Sequence, residues 1–183
     1  MPDARERYIL RALETGAQGV QIPHVEDKEI AELVVEWVKY APIGRRGVSP
    51  YTRAANYLSL PAAEHFKRSN DETIIVLQIE GVDGIANIES IASVEGVDVL
   101  FAGPYDLSQS LGVPGEIDNP EVKQGMFKLM ETCKRYGKWP GTFASDVERA
   151  KSWLAAGMKY LAYSVDTGIL YESLHRIAEL IKS

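Results

Sequence analysis

Disulfides, long apolar runs and an excess of positive charge are all missing from this chain of 183 residues. Cys133 is the only cysteine, so the chain cannot form an internal disulfide. No apolar run approaches the ~20 residues of a membrane-spanning helix, and the charged residues 1–7 do not resemble a signal peptide. A net charge of −6 disfavours nucleic acid and anionic membranes as partners. These absences predict a cytoplasmic protein whose anionic substrates would need local positive charge or a metal.

Segments of strand and helix character alternate along the whole chain. The strand-like segments cover residues 19–23, 73–79, 97–102, 139–143 and 159–165. The helix-like segments are an initial helix stopped by Gly16 and residues 28–40, 61–68, 82–91, 120–136, 147–156 and 168–181. Residues 42–60 have the composition of a long loop. No linker interrupts the pattern, which predicts a single domain over residues 1–183, of the α/β class with a mainly parallel sheet.

Two neighbouring strands run directly into carboxylates. Gln78 and Glu80 lie at the end of one strand and point to the same side, because side chains alternate along a strand. The next strand leads through a predicted tight turn at Gly103 and Pro104 to Asp106. Neighbouring parallel strands lie about 4.8 Å apart, so the two carboxylates could share a hard divalent cation such as Mg²⁺ or Mn²⁺. A solvated loop position is the ordinary alternative for Glu80.

Five short motifs follow one another in a distinctive order. They are Gln-Ile-Pro-His at 21–24, Gly-Arg-Arg-Gly-Val at 44–48, Gln-Ile-Glu at 78–80, Glu-Gly-Val-Asp at 95–98 and Gly-Pro-Tyr-Asp-Leu-Ser at 103–108. In this order they resemble the HpcH/HpaI aldolase family, essentially from end to end. The resemblance implies a (β/α)₈ barrel of the phosphoenolpyruvate/pyruvate-binding type. It also implies a metal-dependent carbon–carbon lyase that cleaves 4-hydroxy-2-oxo acids, such as 4-hydroxy-2-oxoheptanedioate, to pyruvate and an aldehyde.

The resemblance implies specific roles at the strand ends. Glu80 and Asp106 correspond to the ligands of the divalent metal, Mg²⁺ or Mn²⁺. Gln78 corresponds to a contact with the bound pyruvate, as does Asp106. Tyr105 corresponds to the residue whose backbone N–H meets the substrate carboxylate.

Three further residues are weaker candidates. Arg46, in the long loop, is expected to approach an anionic substrate, in this chain or in a neighbouring subunit. Glu14 falls where the family has an acidic residue that supports a catalytic His, and that His belongs to a family segment upstream of this chain's first helix. We interpret His24 as a residue lining the pocket, and His65 and His175 as surface residues of helices. Solvated positions are the alternatives for Glu14 and Arg46.

Alignment with the family's barrel accounts for five of its eight strands, so we expect a barrel truncated at its N-terminal side. Residues 19–23 and 159–165 would then be unpaired sheet edges. A fragment of a longer protein, or a start placed too late, would explain this. The family implies a homo-oligomer, a trimer or hexamer. Two alternatives stay open, namely a catalytically impaired fragment that binds metal and 2-oxo acid, and a lyase of CoA thioesters like the citrate-lyase β-subunit.

Overall fold

A computed structural model describes residues 1–182, in which five parallel strands form one sheet. The order of the strands in the sheet follows the chain. Gly19 pairs with Ile74 at one end of the sheet, and Gly141 pairs with Tyr160 at the other. The strands are β1 (Gly19–Ile22), β2 (Ile74–Ile79), β3 (Val99–Ala102), β4 (Trp139–Ala144) and β5 (Tyr160–Tyr163). The predicted α/β class, the parallel sheet and the two edge strands are confirmed.

Helices connect the strands, and local sequence explains where several of them begin and end. The side chain of Asp27 accepts a hydrogen bond from the N–H of Ile30 (2.8 Å) and caps the second helix. Gly157 ends the eighth helix in the left-handed region, with φ 116°. The helices are α1 (Glu6–Glu14), α2 (Lys28–Val38), α3 (Ala62–Glu72), α4 (Val82–Ala86), α5 (Ile88–Ala92), α6 (Pro104–Ser110), α7 (Pro120–Tyr136), α8 (Val147–Ala156) and α9 (Asp166–Lys182).

Three segments differ from the sequence prediction. The helix predicted over 82–91 is two short helices, separated at Asn87 (φ −90°, ψ 7°). The loop over 42–60 contains a 3₁₀ segment, Arg53–Leu58. The tight turn predicted at Gly103 and Pro104 was wrong, because the chain there begins α6. Proline is compatible with the first helical position, and Leu107 buries the inner face of this helix.

The two faces of the sheet differ in burial. One face packs against the helices and forms the main core, whose largest fully buried side chains are Ile9, Leu13, Ile22, Ile75, Leu77, Ile79, Ile88, Ile91, Leu100, Leu107, Met126 and Leu129. The other face carries a smaller cluster of Val76, Val99 and Phe101. Side chains alternate along β2, so Gln78 and Glu80 follow Val76 onto this second face. The candidate ligands therefore lie at the end of the strands and outside the main core.

The burial of the single cysteine, of two histidines and of the C-terminal elements can be compared with the sequence predictions. Cys133 is fully buried, and burial raises the pKa of its thiol to about 12. His65 is buried in α3, so its interpretation as a surface residue was wrong, whereas His175 is exposed. Neither β5 nor α9 contains a buried residue in the described part of the chain. No helix within residues 1–182 is long and apolar enough to span a membrane.

Candidate metal and substrate site

Glu80 is a buried carboxylate that directly follows β2 and is 2% exposed. Its Oε1 accepts a hydrogen bond from the backbone N–H of His24 (3.0 Å), and His24 Nδ1 lies 3.2 Å from the same oxygen. Its Oε2 accepts a hydrogen bond from the side-chain amide of Gln78. Burial is the main cause that raises the pKa of Glu80, and the charge of Asp106 raises it further, against the lowering effect of Gln78 and His24. A cation would relieve both unfavourable effects.

Gln78 is itself held in place by a neighbour on β1. The side-chain amide of Gln21 donates to Oε1 of Gln78 over 2.7 Å, which leaves the Gln78 amide nitrogen facing Glu80. Sequence reasoning missed Gln21. The sequence feature that could have identified Gln21 is its polar side chain between Val20 and Ile22. Because side chains alternate along a strand, Gln21 lies on the face opposite these two buried residues.

Gly103 leaves the space in which Glu80 and Gln78 meet. A Cβ atom at this position would lie 2.6 Å from Oε2 of Glu80 and 3.2 Å from Nε2 of Gln78. Contacts shorter than about 3 Å to a carbon are repulsive, so a side chain here would displace the carboxylate. The end of β3 therefore approaches Glu80 closely only because residue 103 is glycine.

The start of α6 supplies hydrogen-bond donors beside this carboxylate. The first N–H that bonds within the helix is that of Leu107, which donates to the carbonyl of Gly103 over 2.9 Å. The N–H groups of Tyr105 and Asp106 precede it and are therefore open to a ligand at the helix N-terminus. The Tyr105 ring contacts Phe143 edge-on, with 6.1 Å between centroids. Asp106 is exposed in the first turn of the helix.

The donor set suits a hard divalent cation. Within residues 1–182, no group of three or more His, Cys, Asp and Glu is arranged to hold a metal ion. Two protein carboxylates, with water and substrate oxygens completing the shell, are nevertheless a common set of ligands for Mg²⁺ and Mn²⁺. The buried carboxylate of Glu80 accepts hydrogen bonds from the His24 N–H and the Gln78 amide, and the exposed His24 ring lies beside it. The residues present therefore fit the metal.

Arg46 lies apart from this site within the chain, and its expected approach to an anionic substrate, in this chain or in a neighbouring subunit, stays a prediction. The side chain is 4% exposed, its guanidinium lies 4.6 Å from the centre of the Tyr40 ring, and its Nη1 donates to Ser69 Oγ (3.3 Å). Ser69 precedes β2, whereas Glu80 follows it. A strand of this length spans about 20 Å, which separates Arg46 from the carboxylates.

Glu14 lies at that same far end of the sheet. It is the last residue of α1, which leads into the N-terminal end of β1. Its charge acts on Arg46 and Tyr40 rather than on Glu80. Glu14 therefore lies apart from Glu80 within this chain, because helices that precede parallel strands end at the N-terminal edge of the sheet. Its expected support of a His that belongs to an upstream family segment stays a prediction.

Comparison with known proteins gives one consistent result. The HpcH/HpaI aldolase/citrate lyase family model matches residues 2–173. A hydroxypyruvate/pyruvate aldolase of Pseudomonas aeruginosa is 35% identical over 175 residues, 95% of this chain and 65% of the relative. One of Sagittula stellata is 38% identical over 172 residues, 93% of this chain and 67% of the relative. The 5-keto-4-deoxy-D-glucarate aldolase of Escherichia coli K12 is 35% identical over all of this chain and 70% of the relative. This chain thus spans 65 to 70% of the length of these curated relatives.

Crystal structures agree with the sequence comparison. A HpcH/HpaI aldolase/citrate lyase family protein from Burkholderia cenocepacia has a TM-score of 0.93 and 30% identity, over 100% of this chain and 72% of that chain. A HpcH/HpaI aldolase from Desulfitobacterium hafniense has a TM-score of 0.92 and 32% identity, over 100% and 71%. The five parallel strands thus form a half-barrel, which confirms the predicted fold.

Proposed function

The chain belongs to the HpcH/HpaI aldolase/citrate lyase family. We propose that it acts as a class II aldolase and supplies the residues that bind the metal and pyruvate. The reaction would cleave 4-hydroxy-2-oxo acids to pyruvate and an aldehyde. The observation that carries the proposal is the buried Glu80. Its carboxylate accepts a hydrogen bond from Gln78, and the charge of Asp106 contributes to raising its pKa. These residues lie at the C-terminal ends of parallel strands, where barrel enzymes place their active sites.

In this proposal Glu80 and Asp106 hold a divalent cation, Mg²⁺ or Mn²⁺. When bound, the cation supplies Lewis-acid stabilisation of the negative charge that develops on the enolate oxygen of pyruvate. Glu80 is held in one orientation by hydrogen bonds to both of its oxygens. Asp106 sits in the first turn of α6, directly after the end of β3, and its side chain is exposed.

The neighbouring groups would bind and orient the 2-oxo acid. The N–H groups of Tyr105 and Asp106 would receive the substrate carboxylate. Gln78, held by Gln21, would contact the oxo group. Phe143, which touches Tyr105, is partly buried on the same face of the sheet and would limit the space for the aldehyde half.

The test is pyruvate release by the purified protein from 4-hydroxy-2-oxoheptanedioate and related acids, with Mg²⁺, with Mn²⁺ and with EDTA. We expect release that requires the metal and is lost in Glu80→Gln. Glu116→Gln, an exposed carboxylate on the loop before α7, is the matched control and should keep the activity. Metal-independent release, or full activity in Glu80→Gln, would contradict the aldolase proposal.

A second candidate function is a metal and 2-oxo-acid binding protein without turnover. It is favoured by one observation, namely that Glu14 and Arg46 lie at the far end of the sheet. Mn²⁺ binding measured by electron paramagnetic resonance separates the candidates. Binding that depends on Glu80 and is strengthened by pyruvate, without any release of pyruvate from the hydroxy-oxo acids, would support the second.

A further inference from the structure

A cavity of about 100 Å³ lies at the N-terminal ends of β1 and β2, remote from Glu80. Its lining includes Gln18 and Thr73, which immediately precede these strands, and the side chains of Arg46, His65 and Arg68. A water molecule in the liquid occupies about 30 Å³. The cavity is therefore large enough for about three waters, or for one small oxyanion in their place.

Arg46 brings an incompletely partnered positive charge to this cavity. The side chain is 4% exposed, and its Nε is buried without a hydrogen-bond partner. Its guanidinium lies over the Tyr40 ring (4.6 Å to the centroid), and its Nη1 donates one long hydrogen bond to Ser69 Oγ (3.3 Å). No carboxylate within residues 1–182 forms an ion pair with it. Burial is the main cause that lowers the pKa of this guanidinium, which nonetheless stays charged at neutral pH. Burying a charge without a counter-ion costs desolvation free energy, and a bound anion would offset that cost.

His65 adds a second unsatisfied group to the same cavity. It is 8% exposed, and its Nε2 is buried without a partner. Burial, followed by the charges of Arg46 and Arg68, lowers its pKa, so the ring is neutral at pH 7. A neutral imidazole can donate one N–H to an anion. The ring is fixed by edge contacts with Tyr40 and Phe66, at 6.1 and 5.5 Å between centroids.

The other charged groups around the cavity leave it positive. Arg68 and Glu72 both line it and neutralise each other, since Nε of Arg68 lies 2.9 Å from both Glu72 oxygens. Glu14 acts on Arg46 electrostatically without reaching it as an ion pair. Arg46 thus remains the main uncompensated positive charge among the residues that line the cavity.

We infer that this cavity is a binding site for a small oxyanion, either an inorganic phosphate or a carboxylate, held by Arg46 and His65. The planar guanidinium matches the oxygen spacing of both anions, and the imidazole N–H completes the set of donors. The site is separate from the proposed aldolase centre, because the length of β2 lies between them. The loop that carries Arg46 and the helix that carries His65 would be joined by the bound anion.

Isothermal titration calorimetry with inorganic phosphate and, separately, acetate tests the inference at constant ionic strength and in EDTA. We expect saturable binding of at least one of the two anions, with a rise in Tm. Arg46→Lys keeps the charge but removes the planar fork, and should weaken binding about 10-fold or more. Arg45→Lys is the matched control, since Arg45 is exposed and paired with Glu36, and should bind as the wild type does. Binding should also persist in Glu80→Gln, which separates this site from the proposed aldolase centre.

Two outcomes would overturn the inference. One is the lack of saturable binding of either anion to the wild type, and the other is equal binding by Arg46→Lys and the wild type. If Arg46→Lys does not fold, His65→Gln takes its place, and a crystal structure of the wild type grown in phosphate decides. Density for an oxyanion beside Arg46 supports the inference, whereas ordered water only, or an acidic side chain of a second copy in the cavity, refutes it.

Discussion

At position 103 the lack of a side chain creates the space for the Glu80 carboxylate. The Cβ of any other residue would come within 2.6 Å of Oε2 and 3.0 Å of the Glu80 Cβ. These atoms cannot move away easily, because Glu80 is buried and hydrogen-bonded through both of its oxygens. The metal-binding geometry that we propose thus depends on a residue that would not itself bind the metal.

Gly103→Ala should reduce Mn²⁺ affinity about 10-fold or more, since displacing a ligand's support commonly costs that much. The measurement is a Mn²⁺ titration followed by electron paramagnetic resonance. Gly47→Ala is the matched control, because its Cβ would meet only the flexible end of Leu10, at 3.4 Å. Unchanged Mn²⁺ affinity in Gly103→Ala would show that Glu80 is not a ligand or that it tolerates the displacement.

The raised pKa of Glu80 makes a prediction about stability without metal. A folded-state pKa above the ordinary 4.5 adds stability that is present below pH 4.5 and lost as pH rises through the folded-state pKa. Glu80→Gln has no such dependence. The difference in unfolding free energy between variant and wild type should therefore shift in favour of the variant as pH rises, by about 1.4 kcal/mol per unit of pKa shift. Urea unfolding in EDTA at several pH values measures it, and a difference independent of pH would contradict the pKa assignment.

The residue scale also shows what the sequence could not predict. Alternation along β2 correctly predicted that Gln78 and Glu80 share a side, because the period of a strand is fixed by its backbone. The family resemblance linked Arg46 to an anionic substrate and Glu14 to a His upstream of this chain's first helix, whereas both lie at the N-terminal edge of the sheet. Which end of the sheet such residues reach depends on the path of the intervening helices, and that path comes from tertiary packing.

At the scale of elements, most strands and helices could be predicted from apolar spacing, and α8 has the predicted bounds. The missed helix, α6, is short and begins at a proline that also fits a turn. Its helical state depends on burying Leu107 and Ser108 against the rest of the molecule. Such context is not visible in a local pattern.

Lys39 links three elements at the N-terminal side of the sheet. Its ammonium donates to the carbonyls of Asn70 (2.7 Å) and Thr73 (2.8 Å), which connects the end of α2 to the passage from α3 into β2. Lys138 makes the same kind of link to Val94 and Val97, just before β3. Both lysines satisfy carbonyls that have no partner in a helix or strand.

Lys39→Met should lower the free energy of unfolding by about 2–3 kcal/mol, because two carbonyls lose a charged donor while the apolar stem is kept. Urea denaturation monitored by circular dichroism measures the change. Lys67→Met, at an exposed position of α3, is the control and should stay within about 0.5 kcal/mol of the wild type. A small change in Lys39→Met would mean that water replaces the ammonium without cost.

At the scale of the whole molecule, the C-terminal helix carries an exposed apolar row. Leu170, Leu174, Ile177 and Ile181 recur at helical spacing and are 50 to 80% exposed. A contiguous row of exposed apolar side chains is typical of an interface between proteins. It supports the expectation of a homo-oligomer, which we propose for this chain.

Sedimentation velocity should give a mass above the 20.3 kDa of one chain. Leu174→Glu should lower the association constant at least about 10-fold by placing a charge within the apolar row. Ser173→Glu introduces the same charge at the preceding position, outside the apolar row, and should have little effect. A wild-type protein that stays at one chain mass across the concentration range would refute self-association.

The pairing of the strands also sets an order of assembly in time. Gly141 pairs with Tyr160, and only α8 and short loops separate them along the chain. Gly19 pairs with Ile74, and the long loop and two helices separate them. Closing the longer loop costs about 1 kcal/mol more in chain entropy. We expect β4 and β5 to associate early in refolding and β1 to join late. Pulse-labelling hydrogen exchange would then show the amide of Leu161 protected before that of Val20, so the edge beside Gln78 would be completed last.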